Sequence, residues 1–144
     1  MTPEAIGHTV CDAYDHFARW PAERRTVAAW DALVQRLHDQ LVAPDPARGA
    51  AGLLWVVSQG ARYPHVNLVG ELLVRFRPPC PASLEEVLDL VEARFTSSAH
   101  RVAAYLRLEF GEEALVAGLE ARAAGRSDEA RRRVAAFLFA LAAG

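Results

Sequence analysis

Arg101-Val102-Ala103-Ala104-Tyr105-Leu106 returns as Arg133-Val134-Ala135-Ala136-Phe137-Leu138, 32 residues later. The phrase is built from helix formers, and an interval of this length matches one helical hairpin. Repetition at such a period marks stacked hairpins, each covering the oily flank of the next. The expected fold is therefore all-α.

Outward from these two copies, the rest of the chain divides in the same way. Pro3 to about Arg19 sets Ile6, Val10, Ala13, Tyr14 and Phe17 on one helical stripe, with proline where a first turn tolerates it. Pro21 ends that segment. From Ala22 to about Val42, Val27, Trp30, Leu33, Val34, Leu37 and Leu41 predict a second long helix folding back on the first. Ala47 to Gln59 holds the run Leu53-Leu54-Trp55-Val56-Val57, which periodicity alone leaves open to a buried strand and which its neighbours assign to helix. A turn at 60–64 precedes a helix from His65 to Phe76.

Arg77-Pro78-Pro79-Cys80-Pro81 is the strongest break, because three prolines in four positions stop a helix and stiffen the link. It is the candidate joint, at 77–81, in what otherwise reads as one domain over residues 1–144. Ser83 with Glu86 three residues later forms a capping box that opens a helix to Phe95. Thr96-Ser97-Ser98 turns into the helix of the first copy, Gly111 stops it, and Gly125-Arg126-Ser127-Asp128 precedes the closing helix. That makes about eight helices in four antiparallel hairpins. Aligned on the first valine of each second helix, Val27, Val66, Val102 and Val134 stand 39, 36 and 32 residues apart, with Trp30, Val69, Tyr105 and Phe137 three positions on.

Ser127-Asp128-Glu129-Ala130-Arg131-Arg132-Arg133-Val134-Ala135-Ala136-Phe137-Leu138 resembles the second-helix signature of HEAT-type repeats, in which Asp-Pro-x-Val-Arg opens a helix and alanines follow. Arg131 and Leu138 match; Ser127, Asp128, Ala130 and Phe137 depart from the usual aspartate, proline, valine and alanine. The position of Arg131 holds Arg24, Tyr63 and Ala99 in the other hairpins. The resemblance implies a HEAT-like, right-handed α-solenoid with a scaffold or binding role, and it carries no catalytic residue.

Composition narrows the function classes. The chain of 144 residues is 52% hydrophobic and 24% charged, with no apolar run long enough to span a bilayer. No secretory signal opens it, so a cytoplasmic location is expected, and the absence of lysine suggests a G+C-rich, bacterial genome. Cys11 and Cys80 lack metal or redox spacing. A formal net charge of −2 argues against nucleic acid, whose phosphates require a basic excess. No cofactor motif is present, and none is expected.

Three groups of residues are candidates for function. Trp55, Ser58, Gln59, Arg62, Tyr63, His65 and Asn67 gather aromatic and hydrogen-bonding side chains around one turn, where helical repeats build recognition surfaces. Without a paired acid or nucleophile elbow, Ser58 and His65 do not make a catalytic pair. Arg101 and Arg131, Arg132 and Arg133 form a basic ridge facing an acidic one of Glu85, Glu86, Asp89, Glu92, Glu112, Glu113 and Glu120, with solvated salt bridging the plainer explanation. His8, Asp12 and His16, every fourth residue on the first helix, with His38 on the second, are weak metal-ligand candidates against a solvated polar stripe.

The closing helix is apolar from Val134 to Ala143, although the last repeat of an array normally shows water a polar face. Val134, Phe137, Leu138, Phe139 and Leu141 are therefore expected to be enclosed on more than one side, by self-association or by the domain curling on itself. The function expected is a non-enzymatic protein–protein interaction module, an adaptor, regulator or antidote, associating with itself and with another protein. The alternative is a helical bundle that holds a small molecule or metal, with nucleic-acid binding third.

Overall fold

The computed structural model describes residues 1–91 and 100–143, and among these there are eight α-helices and no strand. They are α1 (Pro3–Ala18), α2 (Val27–Leu37), α3 (Pro46–Ser58), α4 (Tyr63–Phe76), α5 (Leu84–Val91), α6 (His100–Phe110), α7 (Glu112–Ala123) and α8 (Asp128–Ala143). The all-α expectation holds, and Leu53 to Val57 lie inside α3. None of these helices is long and apolar enough to cross a membrane. The expected end of the fifth helix at Phe95, the Thr96-Ser97-Ser98 turn, Glu92 and Ala99 fall outside the described residues.

The helices start where short polar side chains can satisfy the first free N–H groups. Thr2 accepts from Ala5 N, Thr26 from Ala29 N, Asp45 from Arg48 N and Ser127 from Ala130 N. Ser83 Oγ accepts from Glu86 N at 3.3 Å and donates to the Glu86 carboxylate at 3.1 Å, so the predicted cap is in place. Gly111 and Gly125 take positive φ between helices, a conformation in which a side chain is strained.

Packing runs along two rows. α1 lies on α3, α3 on α5 and α5 on α7; α4 lies on α6 and α6 on α8; α3 pairs with α4 and α7 with α8. Glycine permits the closest approaches. A Cβ on Gly52 would sit 2.6 Å from Ile6 Cβ, one on Gly7 2.4 Å from Trp55, and one on Gly70 2.7 Å from Arg101 Cβ. One continuous core joins the rows, from Ile6 and Val10 through Leu53, Leu68 and Leu72 to Val102, Leu115 and Phe137.

Polar bonds stitch the second row. Arg75 of α4 joins Asp31 of α2 at 3.1 Å and also Glu71, which in turn pairs with Arg101 of α6. The proline-rich link after α4 is held from α6: the Tyr105 hydroxyl, fully buried, donates to Pro78 O at 2.6 Å. Burial pushes the Tyr105 phenol far above its ordinary range, which keeps that donor protonated.

Four expectations change in detail. The segment Ala22–Val42 is not one helix: a 3₁₀ turn spans Ala22–Arg24, α2 begins at Val27 under the Thr26 cap, and a π-helical turn covers His38–Val42. The polar run Glu23-Arg24-Arg25 offers no apolar face to bury, so the helix waits for the cap. The wide last turn lets the adjacent Leu41 and Val42 both face the core. The valine register holds at Val66, Val102 and Val134, all buried, but Val27 is 79% exposed. α4 begins at Tyr63 rather than His65, because Pro64 fits the first turn. α8 packs on α6 and α7, with Val134, Phe137 and Leu141 buried, and of the five apolar side chains expected to be enclosed Phe139 stays 65% exposed.

Candidate functional site

Where α2 starts late, it also stands away from α1, and the space left between them is an open groove. Phe17 and Tyr14 of α1 meet Trp30 of α2 edge-on, at ring separations of 5.9 and 6.4 Å. Bulky rings hold the two helices apart at this level. The resulting groove, of about 410 Å³, is completed by Arg25, Thr26 and Val27 on one side and by Tyr63, Pro64 and Asn67 of the first turns of α4 on the other. Tyr63, 55% exposed, and the exposed Val27 stand at its mouth.

Behind the aromatic wall lies a polar knot. Asp15 Oδ1 accepts from His65 Nε2 at 2.8 Å and from Arg62 Nη2 at 2.9 Å. A carboxylate can only accept, so His65 Nε2 carries a proton in this hydrogen bond. The His65 hydrogen bond is the main cause holding the Asp15 carboxyl below its ordinary range, with Arg62 and Arg19 adding to it. His65 also presents its ring to Tyr14, edge-on at 5.5 Å, and so braces the groove from α4.

A second depression of about 460 Å³ opens on the far side of Tyr14 and Pro64, which it shares with the groove, and adds Asp15, Ala18, Arg19 and Arg62. The two together offer aromatic surface beside cationic surface. Nothing in them is poised for nucleophilic attack. Cys11, one helical turn before Asp15, is pushed up by burial and then by Asp15 and Asp12, so it stays the unreactive thiol.

The predicted recognition patch divides across this geometry. Tyr63 and Asn67 line the groove, and Arg62 lines the second depression. His65 is 8% exposed and acts as a brace behind the wall. Trp55 is half-buried with its ring 4.9 Å from His8, and Gln59 bonds to Ser58 Oγ at 3.2 Å; neither lines the groove. Ser58 itself donates to Trp55 O as a helix-end contact. Sequence inspection did not single out Tyr14, Phe17 and Trp30 as site residues, because their spacing reads as core; nor did it single out Asp15, Arg25 and Val27. The signal available was the crowding of large rings on one stripe next to Pro21 and a polar run.

The basic ridge is largely matched from within the chain. Arg101 pairs with Glu71, Arg131 with Asp128 at 2.8 Å and Arg133 with Glu129 at 2.8 Å, while Arg132 is exposed. Asp128 and Glu129 in the first turn offset the positive charge that would otherwise oppose the α8 dipole. Across the acidic ridge, Arg122 of α7 reaches Glu85 at 3.1 Å and Asp89 at 2.7 Å on α5.

The histidines go to different neighbours: His8 to Trp55, His16 to Trp20, and His38 to a stacked contact with Phe76 at 3.7 Å. Asp12 is exposed. Among the described residues no three potential ligands come together for a metal ion. On α8, Val134, Phe137 and Leu141 are core, Leu138 is partly covered and Phe139 points outward. Comparison of the chain with protein-family models, with curated proteins and with solved structures finds no match.

Proposed function

We propose that this chain is a non-enzymatic binding module whose aromatic groove takes a segment of another protein. The observation that carries this is the groove walled by Tyr14, Phe17, Trp30 and Tyr63, an apolar recess of about 410 Å³ left open between α1, α2 and α4. A chain that only needed to fold would close such a gap, since buried aromatic surface is stabilising at roughly 25 cal/mol per Å². An enclosed pocket suits a small molecule, most of whose surface must be covered. An open groove with exposed walls suits a peptide passing through. The row-by-row contacts of α1, α3, α5 and α7 and of α4, α6 and α8 support a layered array of the HEAT kind as the scaffold. The unpaired Cys11 and Cys80 suit a reducing, cytoplasmic setting.

Panning random peptides displayed on phage against the immobilised protein tests this. Enriched clones are expected to lose at least about tenfold in binding on a Val27→Asp, Tyr63→Ala double variant, because both residues are exposed groove walls whose change leaves the core intact. Clones that bind the variant as well as the wild type would remove the groove from the function.

A second reading concerns α8, and Phe139 favours it. A large ring left exposed on the apolar second half of the final helix is a candidate contact with a second copy, with Leu138 beside it in sequence. Sedimentation of the protein is expected to show a dimer that Phe139→Glu dissociates; a monomer at all concentrations would end this reading.

A further inference from the structure

The groove has a charge as well as a shape, and that charge identifies its occupant. We infer that the segment it takes is acidic: an apolar or aromatic anchor flanked by aspartate or glutamate. This rests on the groove being a peptide site, as proposed above. Arg25 lines the groove, and Arg19 and Arg62 line the depression beyond the Tyr14–Pro64 wall. Asp15 is the one carboxylate in either lining, and it is already held by His65 and Arg62. Three arginines against one engaged aspartate make a positive spot on a chain whose formal net charge is −2.

What sets these cations apart is their place beside an aromatic groove, since among the described residues Arg24, Arg36, Arg126 and Arg132 also join no ion pair while others are matched within the chain. Arg75, Arg101, Arg131 and Arg133 are each paired with a carboxylate of the same chain. Among the described residues, the Arg19 and Arg25 side chains make no ion pair. Guanidinium groups keep their charge at any physiological pH and present forked donors that match a carboxylate in two places. Placed on either side of an aromatic floor, they fix both the position and the direction of a bound segment. An apolar side chain in the groove leaves neighbouring carboxylates to meet Arg25 on one side and Arg19 with Arg62 on the other. Lysine-rich segments are repelled by the same groups, so the arrangement discriminates as well as attracts.

The test uses the peptides recovered by panning, synthesised and titrated against the full chain. Peptides that depend on Val27 and Tyr63 are expected to carry more Asp and Glu than Lys and Arg. Their affinity should fall about threefold to tenfold on Arg25→Glu, and by a similar factor when salt is raised from about 0.05 to about 0.5 M. Arg126→Glu, the same charge change in the turn before α8, should leave affinity unchanged. Groove-dependent peptides that are neutral or basic, or whose binding ignores Arg25→Glu and salt, would overturn the acidic occupant and leave the groove standing. If no peptide distinguishes wild type from the Val27→Asp, Tyr63→Ala variant, both fall. A dimer of the protein alone that the same variant dissociates would give the groove to a second copy and overturn the inference.

Discussion

Helix α1 packs on two sides, and the two are built to opposite rules. Toward α3 it presents Gly7 and receives Gly52, so that backbone meets side chain with no room for a methyl group. Toward α2 it presents Phe17 and Tyr14 to Trp30, rings that touch at their edges and hold the helices apart. The first side brings the helices into direct contact at Gly7 and Gly52; the second leaves the groove, and further along the same seam a gap of about 90 Å³ between Phe17, Trp20 and Leu33. Small residues make a scaffold, and large ones at a crossing make a site. What decides between them is side-chain volume at the contact, not hydrophobicity, which both sides share.

The sharpest way to break this contrast is to place volume where the closed side has none. Gly52→Val puts branched carbon against Ile6 and Pro3 O, and we expect it to destabilise the fold by about 3 kcal/mol or more, read by urea denaturation. Helix propensity gains from losing glycine offset only a part, about 1 kcal/mol at most. The matched experiment on the open side is the Val27→Asp, Tyr63→Ala variant, whose stability should stay within about 0.5 kcal/mol of wild type because surface positions tolerate change. Comparable losses in both variants would show the open side to be as structural as the closed one.

A smaller effect is expected at the link between α4 and α5. Tyr105→Phe keeps the ring and removes the donor to Pro78 O, leaving a buried carbonyl without its partner, at about 2 kcal/mol by the usual range for such losses. An unchanged denaturation midpoint would mean that water replaces the hydroxyl and that the proline-rich link is not anchored through Tyr105.

Much of the scaffold was legible because it depends on local signals. Pro3 and Ser83 announce helix starts, and the stripes through Ile6, Leu53, Val66, Val102 and Val134 announce the buried faces, whereas the Thr26 and Asp45 caps went unread inside a longer expected helix and a turn. The repeated phrase placed α6 and α8, which do pack on each other. The groove was not legible, for a reason the same residues make plain. Trp30 and Phe17 carry helical spacing that is indistinguishable from core spacing, and whether such a stripe closes or stays open depends on the angle at which α2 arrives. That angle follows from Pro21, the 3₁₀ turn and the Thr26 cap acting together, and periodicity does not encode it. Val27 shows the limit most clearly, since it has the register of a core valine and stands in solvent. Asp15 was missed because its partners Arg62 and His65 lie 47 and 50 residues away in the chain.

Asp15 also gives the smallest of the expected effects and the one that best sharpens the comparison, because it stands at the boundary between the closed and the open sides of α1. Its folded-state carboxyl is depressed below the unfolded value, which for aspartate is about 3.9. A depressed acid binds its proton less readily when folded, so its stabilising contribution is complete above about pH 5 and fades as pH falls through the folded value. Asp15→Asn should therefore lower stability slightly at neutral pH, since the amide oxygen in the place of Oδ1 still accepts both bonds but carries no charge, and the gap from wild type should narrow as pH falls below the unfolded value of about 3.9. The effect is modest because Arg62 and Asp15 remain open to solvent, which screens their attraction. Peptide binding gives the second readout. If His65 braces Tyr14 by way of Asp15, the variant should weaken groove-dependent peptides more than it weakens the fold; a loss of stability with affinity intact would make the knot a fastening between α1 and α4 that has no part in shaping the groove.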